Sequence, residues 1–250
     1  MELGLGGRVA LVAASSRGLG RATAEALAAE GARLTICGRS PEALTATETA
    51  LRAAGAEVLS VEIDVTEPSS PARLVEATVE RYGSLDIVVP NAGGPPPGRA
   101  LDVDDQALHL AIEANLMTSV RLVREAVPHM RATGWGRICC IASYSVVQPI
   151  PELALSNTAR VGLWGWLKTA AKDLVGTGVT LNMICPGPHA TDRMIQLQGP
   201  LGDTAGDAAS APAMGDPADF GRIVAFLCSE RARFISGAAI VVDGGSTLAL

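Results

Sequence analysis

Seven short apolar runs, mostly rich in β-branched residues, recur along this chain, separated by segments long enough to be helices. The runs are Val9–Ala13, Leu34–Cys37, Val58–Ile63, Ile87–Val89, Ile138–Ile141, Thr180–Ile184 and Ala239–Val242. Between them lie stretches rich in Ala, Leu and Glu, such as Arg21–Glu30 and Pro41–Ala54. A strand that reads as a continuous apolar run is covered on both faces. Such strands alternating with helices predict a parallel sheet between two helical layers. Right-handed crossovers make that sheet doubly wound, with ligands held above the strand C-termini. The 250 residues fit one such domain, 1–250, and no linker, composition break or internal repeat divides them.

Composition narrows the function classes. Hydrophobic residues make up 48% of the chain and charged residues 18%, which is globular and not disordered. A net charge of −6 argues against a nucleic-acid partner, whose phosphates call for clustered Lys and Arg. No run of about 18 apolar residues is present, so no membrane partner is expected. The first residues lack a basic region followed by an apolar stretch, so no secretory signal is expected. The five cysteines (Cys37, Cys139, Cys140, Cys185, Cys228) are odd in number and lack Cys-x-x-Cys spacing. Four sit in or beside apolar runs, as small hydrophobes do, which predicts a reduced, cytoplasmic protein. His109, His129 and His189 have no ligand-spaced partners, so no metal site is expected.

The first run continues as Val9-Ala-Leu-Val-Ala-Ala-Ser-Ser-Arg-Gly-Leu-Gly20, a strand, a tight turn and a helix start. Glycines there let backbone approach a pyrophosphate, and the helix N-terminus offers unpaired N–H groups. The second run ends Ile36-Cys37-Gly38-Arg39, with no carboxylate to accept from a ribose 2′-hydroxyl. Arg17 and Arg39, one from each strand–helix turn, suit a 2′-phosphate instead. That predicts NADP(H) ahead of NAD(H); the alternative is two solvated turn residues. Asp64-Val65 follows the third run, where Asp64 also fits a cap before Thr66-Glu67-Pro68.

From Arg8 to Gly245 the punctuation resembles the short-chain dehydrogenase/reductase (SDR) family. The signposts are Asn91-Ala92-Gly93, Asn115, Ser143, Pro186-Gly187 and Asp243-Gly244-Gly245. The resemblance implies a single-domain α/β fold of Rossmann type, with a parallel sheet of about seven strands and helices on both faces. The family's Thr-Gly-x-x-x-Gly-x-Gly reads here Ala13-Ala14-Ser15-Ser16-Arg17-Gly18-Leu19-Gly20, and Ala14 in place of glycine predicts a negative φ. By the same resemblance Asp64 bonds the adenine amino group and Asn91-Ala92-Gly93 flanks the adenine ribose. Pro186-Gly187 then leads to Thr191 at the nicotinamide carboxamide.

In the resembled mechanism a Ser orients the carbonyl and a Tyr passes the proton. A Lys lowers the Tyr pKa and an Asn anchors a water chain behind it. Asn115 and Ser143 match that pattern. Counting on from Ser143, Ser156 stands where the family has Tyr and Arg160 where it has Lys. Serine is less acidic than a phenol, whose reference pKa is about 10, and shorter by a ring. Arg160 stays protonated, so it cannot relay a proton. It can still bond the nicotinamide ribose and place positive charge near a developing oxyanion.

Three replacements for the proton donor follow. Tyr144 adjoins Ser143 but is expected to face away, since neighbours in extended chain point oppositely. His189 lies after the sixth run and is a capable acid near neutral pH. Water polarised by Ser143, Ser156 and Arg160 is the third. No Gly-x-Ser-x-Gly elbow supports a hydrolase.

The resemblance therefore implies an NADPH-dependent reductase of a small carbonyl substrate with an altered proton donor. The alternative is a nucleotide-binding protein of the same fold with a non-redox or regulatory role. Residues 188–217, rich in Gly and Pro, read as a mobile substrate loop or a plain surface insertion. The resemblance also implies a homotetramer or homodimer, with Ala107–Met130 and Val161–Leu174 supplying helical faces and Ile235–Leu250 the end strand.

Overall fold

The computed structural model describes residues 1–194, 197 and 214–249. Its strands are β1 (Val9–Val12), β2 (Arg33–Gly38), β3 (Val58–Glu62), β4 (Ile87–Val89), β5 (Gly136–Ile141), β6 (Val179–Pro186) and β7 (Ala239–Val242). They form one sheet in the order β3-β2-β1-β4-β5-β6-β7, and every neighbouring pair is parallel. Each expected run matches a strand to within about two residues at either end. The start of β5 was hidden by Arg137, a charge inside an apolar strand. Arg137 is 2% exposed, and its guanidinium donates to the Ser229, Gly136 and Gly178 carbonyls, which satisfies it there.

The helices are α1 (Gly18–Ala29), α2 (Pro41–Ala53), α3 (Ser70–Tyr82), α4 (Asp105–Ile112), α5 (Thr118–Thr133), α6 (Ala154–Asp173) and α7 (Pro217–Leu227). One core packs α3, α5 and α6 under the sheet; the other packs α1, α2 and α7 above it. Strand residues alternate between the two. Leu11 of β1 joins the first core, while its neighbours Ala10 and Val12 join the second. Both faces are therefore apolar, as an unalternating run requires. Strand order reverses between β1 and β4, which opens a crevice at their C-terminal ends.

The loop that enters this crevice corrects one expectation. Ala14 has φ +45°, in the left-handed region, where a negative φ was expected. The Asn91 side chain donates to both the Ala13 and Ala14 carbonyls, which fixes the loop from below. A left-handed L-residue costs roughly 1–2 kcal/mol. Ala14→Gly removes that strain but frees the unfolded chain, which returns about 0.4–1 kcal/mol. The expected outcome is a gain of about 0.5–1 kcal/mol in urea unfolding.

Most of the Pro188–Pro217 segment lies outside the described residues. Its two ends are tied together: Ala190 N–H donates to the Gly215 carbonyl at 3.0 Å and Gly215 N–H to the Pro188 carbonyl at 2.9 Å.

Candidate active site

A cavity of about 1020 Å³ opens at the crevice, walled by the segments that leave β1, β2, β3, β4, β5 and β6. At one end is the N-terminus of α1. Its capping residue Arg17 is extended and provides no side-chain cap, and the first turn holds no acid. The leading N–H groups thus face the cavity without an internal acceptor, which suits an anion. Gly18 has φ +57°. A Cβ on Gly20 would lie 2.5 Å from the Ala14 carbonyl oxygen and 2.8 Å from Asn91 Nδ2. This glycine-shaped cradle fits the pyrophosphate of a dinucleotide.

Ser16, Arg17, Gly18, Leu19 and Gly20 line the cavity. So do Arg39, Asp64 and Val65 at the ends of β2 and β3. Asn91, Ala92 and Gly93 wall it beyond β4, and Pro186, Gly187 and Thr191 beyond β6. Ala13 and Ser15 do not reach it. Ala13 is fully buried in the core. Ser15 Oγ donates to the Val12 carbonyl at 2.7 Å and accepts from Cys37 N–H at 3.0 Å, which stitches β1 to β2.

Asp64 serves the turn it starts. Its Oδ1 accepts from the Thr66 N–H at 2.9 Å and the Thr66 hydroxyl at 2.8 Å, and its Oδ2 meets Arg39 at 3.4 Å. Burial alone would raise this carboxyl; the Thr66 bonds and the Arg39 charge outweigh it and hold the pKa low. The Arg39 side chain is 73% exposed, so the pair contributes little stability and the guanidinium is free to exchange partners. Arg39→Ala is expected to weaken NADPH about tenfold or more and NADH far less, since a bond to a charged group is worth about 1.5–3 kcal/mol. Equal losses for the two nucleotides in equilibrium titrations would contradict a phosphate contact.

The other end gathers the polar residues expected to do chemistry. β5 delivers Ser143 in extended conformation, and its Oγ accepts from Ser145 N–H at 3.1 Å. The chain then turns into a short 3₁₀ segment, Tyr144–Val146. That turn breaks the strand alternation, so Tyr144 lines the same cavity as Ser143, against the expectation that it faces away. Burial, with the Asp243 carboxylate adding to it, raises the Tyr144 pKa.

Ser156 and Arg160 lie one turn apart on α6, and the Arg160 Nη1 donates to Ser156 Oγ. Ser156 is 5% exposed. Burial brings the Arg160 guanidinium down to about 10, and Arg193 pushes in the same direction. It remains a cation at neutral pH. Cys185, on β6, is a buried thiol pushed up to about 12 by desolvation, so it is no nucleophile. Asn115 sits in a π-helical turn, Glu113–Met117, between α4 and α5. It is 4% exposed, lines the cavity, and neither side-chain amide atom bonds a described protein group. Such turns recur at functional sites.

His189 lies at the cavity wall but is held as a brace. It is 6% exposed, its Nδ1 lies 2.9 Å from the Gly187 carbonyl, and its ring packs edge-on to Phe220 at 5.2 Å. These contacts make it a poor candidate for the proton donor.

Two features escaped the sequence. Asn91 pins the phosphate loop, besides bordering the cavity. Arg193 enters the cavity beside Arg160, donating from Nη2 to the Pro95 carbonyl at 2.6 Å. Asn91 stands in a motif that carries no sign of this pinning, and Arg193 has no motif, because each acts on a backbone carbonyl distant in the chain. Among the described residues no cluster of three His, Cys, Asp or Glu side chains is placed to hold a metal. Nor is any described helix long and apolar enough to cross a membrane.

A glycine-shaped anion cradle at the switch point, with Ser and Asn side chains across the same cavity, defines a dinucleotide-binding α/β protein. The family described as Enoyl-(Acyl carrier protein) reductase matches residues 13–247. The chain is 33% identical to the 3-oxoacyl-[acyl-carrier-protein] reductase of Escherichia coli over 241 residues, covering 96% of this chain and 97% of that one. It is 30% identical to human dehydrogenase/reductase SDR family member 4 over 245 residues, covering 97% and 88%. L-sorbose reductase from Gluconobacter frateurii, solved with NADPH and L-sorbose, superposes with a TM-score of 0.92 at 32% identity, covering all of both chains. The chain belongs to the short-chain dehydrogenase/reductase family.

Proposed function

We propose that this protein is an NADPH-dependent oxidoreductase that reduces a small carbonyl compound, with the Ser156–Arg160 pair in place of a phenol and an ammonium. The observation that carries this reading is the hydrogen bond from Arg160 to Ser156 in the cavity that also holds Ser143. The cradle at the α1 N-terminus and the two exposed guanidiniums of Arg17 and Arg39 support NADP, as do relatives solved with NADPH. When bound, the nicotinamide supplies a hydride to the carbonyl carbon.

The chain's own residues then manage the charge left on oxygen. Ser143 accepts from the Ser145 N–H, which leaves its hydroxyl hydrogen to bond the substrate oxygen. Ser156 accepts from Arg160, which leaves its hydroxyl hydrogen for the same task and makes it a stronger donor. The fixed charge of Arg160 favours the developing oxyanion in a partly dry site. The final proton passes to the product oxygen through Ser156 from water. In this reading Asn115, whose buried amide has no partner among the described residues, anchors that water.

A second donor is favoured by one observation. Tyr144 lines the cavity with a raised pKa, so it keeps its proton through neutral pH. Single-turnover oxidation of NADPH separates the two. Ser156→Ala is expected to slow the step about 10²-fold, with Tyr144→Phe near wild type. The reverse ranking would transfer the role to Tyr144.

A further inference from the structure

Of the four arginines that line the cavity, Arg193 alone has no part in the reduction described above. Arg193 lies on the segment after Thr191 and crosses to the opposite wall. A methyl group on Gly94 would lie 3.0 Å from Arg193 Nη2 and 3.1 Å from Nε, so the bare Gly94 backbone is the shelf on which the guanidinium rests. The Pro95 carbonyl takes one of its N–H groups. Arg160 lines the same cavity; burial and the Arg193 charge disfavour its cation, and burial disfavours that of Arg193. Among the described residues neither has a carboxylate within ion-pair distance. Of the acids that line the cavity, Asp64 pairs with Arg39 and Glu113 with Arg121, while Glu67 and Asp192 are exposed to solvent. Two like charges sharing a half-buried cavity are costly unless an anion joins them. Each still has N–H groups to offer, in the planar fork that matches a carboxylate.

We propose that the carbonyl substrate carries a carboxylate, seated between Arg160 and Arg193, as in a short oxo acid. The proposal rests on the carbonyl-reductase reading and specifies its substrate class. The reaction balances: the oxo acid gains a hydride at its carbonyl carbon and a proton at the oxygen, NADPH becomes NADP⁺, and the carboxylate is unchanged. Gly94 becomes a specificity residue, because a side chain there crowds the Arg193 guanidinium and shifts it on its shelf.

The test compares acetoacetate with methyl acetoacetate, which differ in the charge. Calorimetric binding to the protein–NADP⁺ complex and NADPH oxidation are both measured, on wild type and Arg193→Gln. Wild type is expected to favour the acid by about tenfold or more in both, and Arg193→Gln to bring that ratio towards one. Equal binding of acid and ester by wild type overturns the proposal. So does an Arg193→Gln variant that keeps the acid-to-ester ratio but binds NADPH more weakly, which assigns Arg193 to the cofactor phosphates. Selective binding of the acid with no hydride transfer to either compound supports the carboxylate seat and sinks the reductase reading instead.

Discussion

Arg160→Met is expected to lower kcat for carbonyl reduction by about 10²–10³-fold, the loss typical of removing one preorganised oxyanion donor. The substitution acts twice. It deletes the cation nearest the developing charge, and it strips the buried Ser156 hydroxyl of its donor. Leaving such a hydroxyl unsatisfied costs about 1–3 kcal/mol by itself. Arg160→Lys should restore part of the rate, since an ammonium keeps the charge but not the fork. The pH profile gives an independent readout. The cation is the active form and its pKa lies near 10, so wild-type kcat should stay flat through neutral pH and fall as pH rises through about 10. That basic limb should vanish in Arg160→Met. A limb near pH 6–7 would instead point to a histidine.

Gly20→Ala is expected to weaken NADPH binding by about 10²-fold or more. The new Cβ would meet the Ala14 carbonyl at 2.5 Å and Asn91 Nδ2 at 2.8 Å. The first is phosphate-loop backbone and the second is the Asn91 amide that pins it, so turning a free side chain does not relieve the clash. Either α1 retreats or the loop lifts, and each change misaligns the N–H groups that face the phosphates. Overpacking of this kind also costs about 1–3 kcal/mol of stability. Fluorescence titration of NADPH together with urea unfolding would separate the two effects. A variant that binds normally would mean that the cradle does not hold the pyrophosphate.

The strands were readable because a parallel sheet buried on both faces leaves its mark as continuous apolar runs. Arg137 shows the limit of that mark: its charge is satisfied by three carbonyls, two of them distant in the chain, which no local pattern announces. The left-handed φ of Ala14 was missed because the loop is held by Asn91, 77 residues away, which leaves no local signal. Ser15 looked like a cofactor ligand in the glycine-rich turn, yet it points inward to Cys37. Tyr144 was expected to face away because the strand was assumed to continue; a 3₁₀ turn begins at that residue. The resembled family's spacing from Ser143 points to Ser156 and Arg160, and their four-residue offset on one helix is what brings the two side chains together. Arg193 left no trace, because its shelf is another segment's backbone.

Ser156 and Arg160 are expected to support hydride transfer to a carbonyl without the phenol. Rapid mixing of the protein–NADPH complex with a broad panel of ketones, diketones and oxo acids tests it most directly. Bound NADPH is expected to be oxidised with one alcohol formed per nicotinamide, and Arg160→Met to lose that signal. Tight NADPH binding with no oxidation across the panel would contradict it, most sharply if Ser156→Tyr with Arg160→Lys created the activity that the native chain lacked.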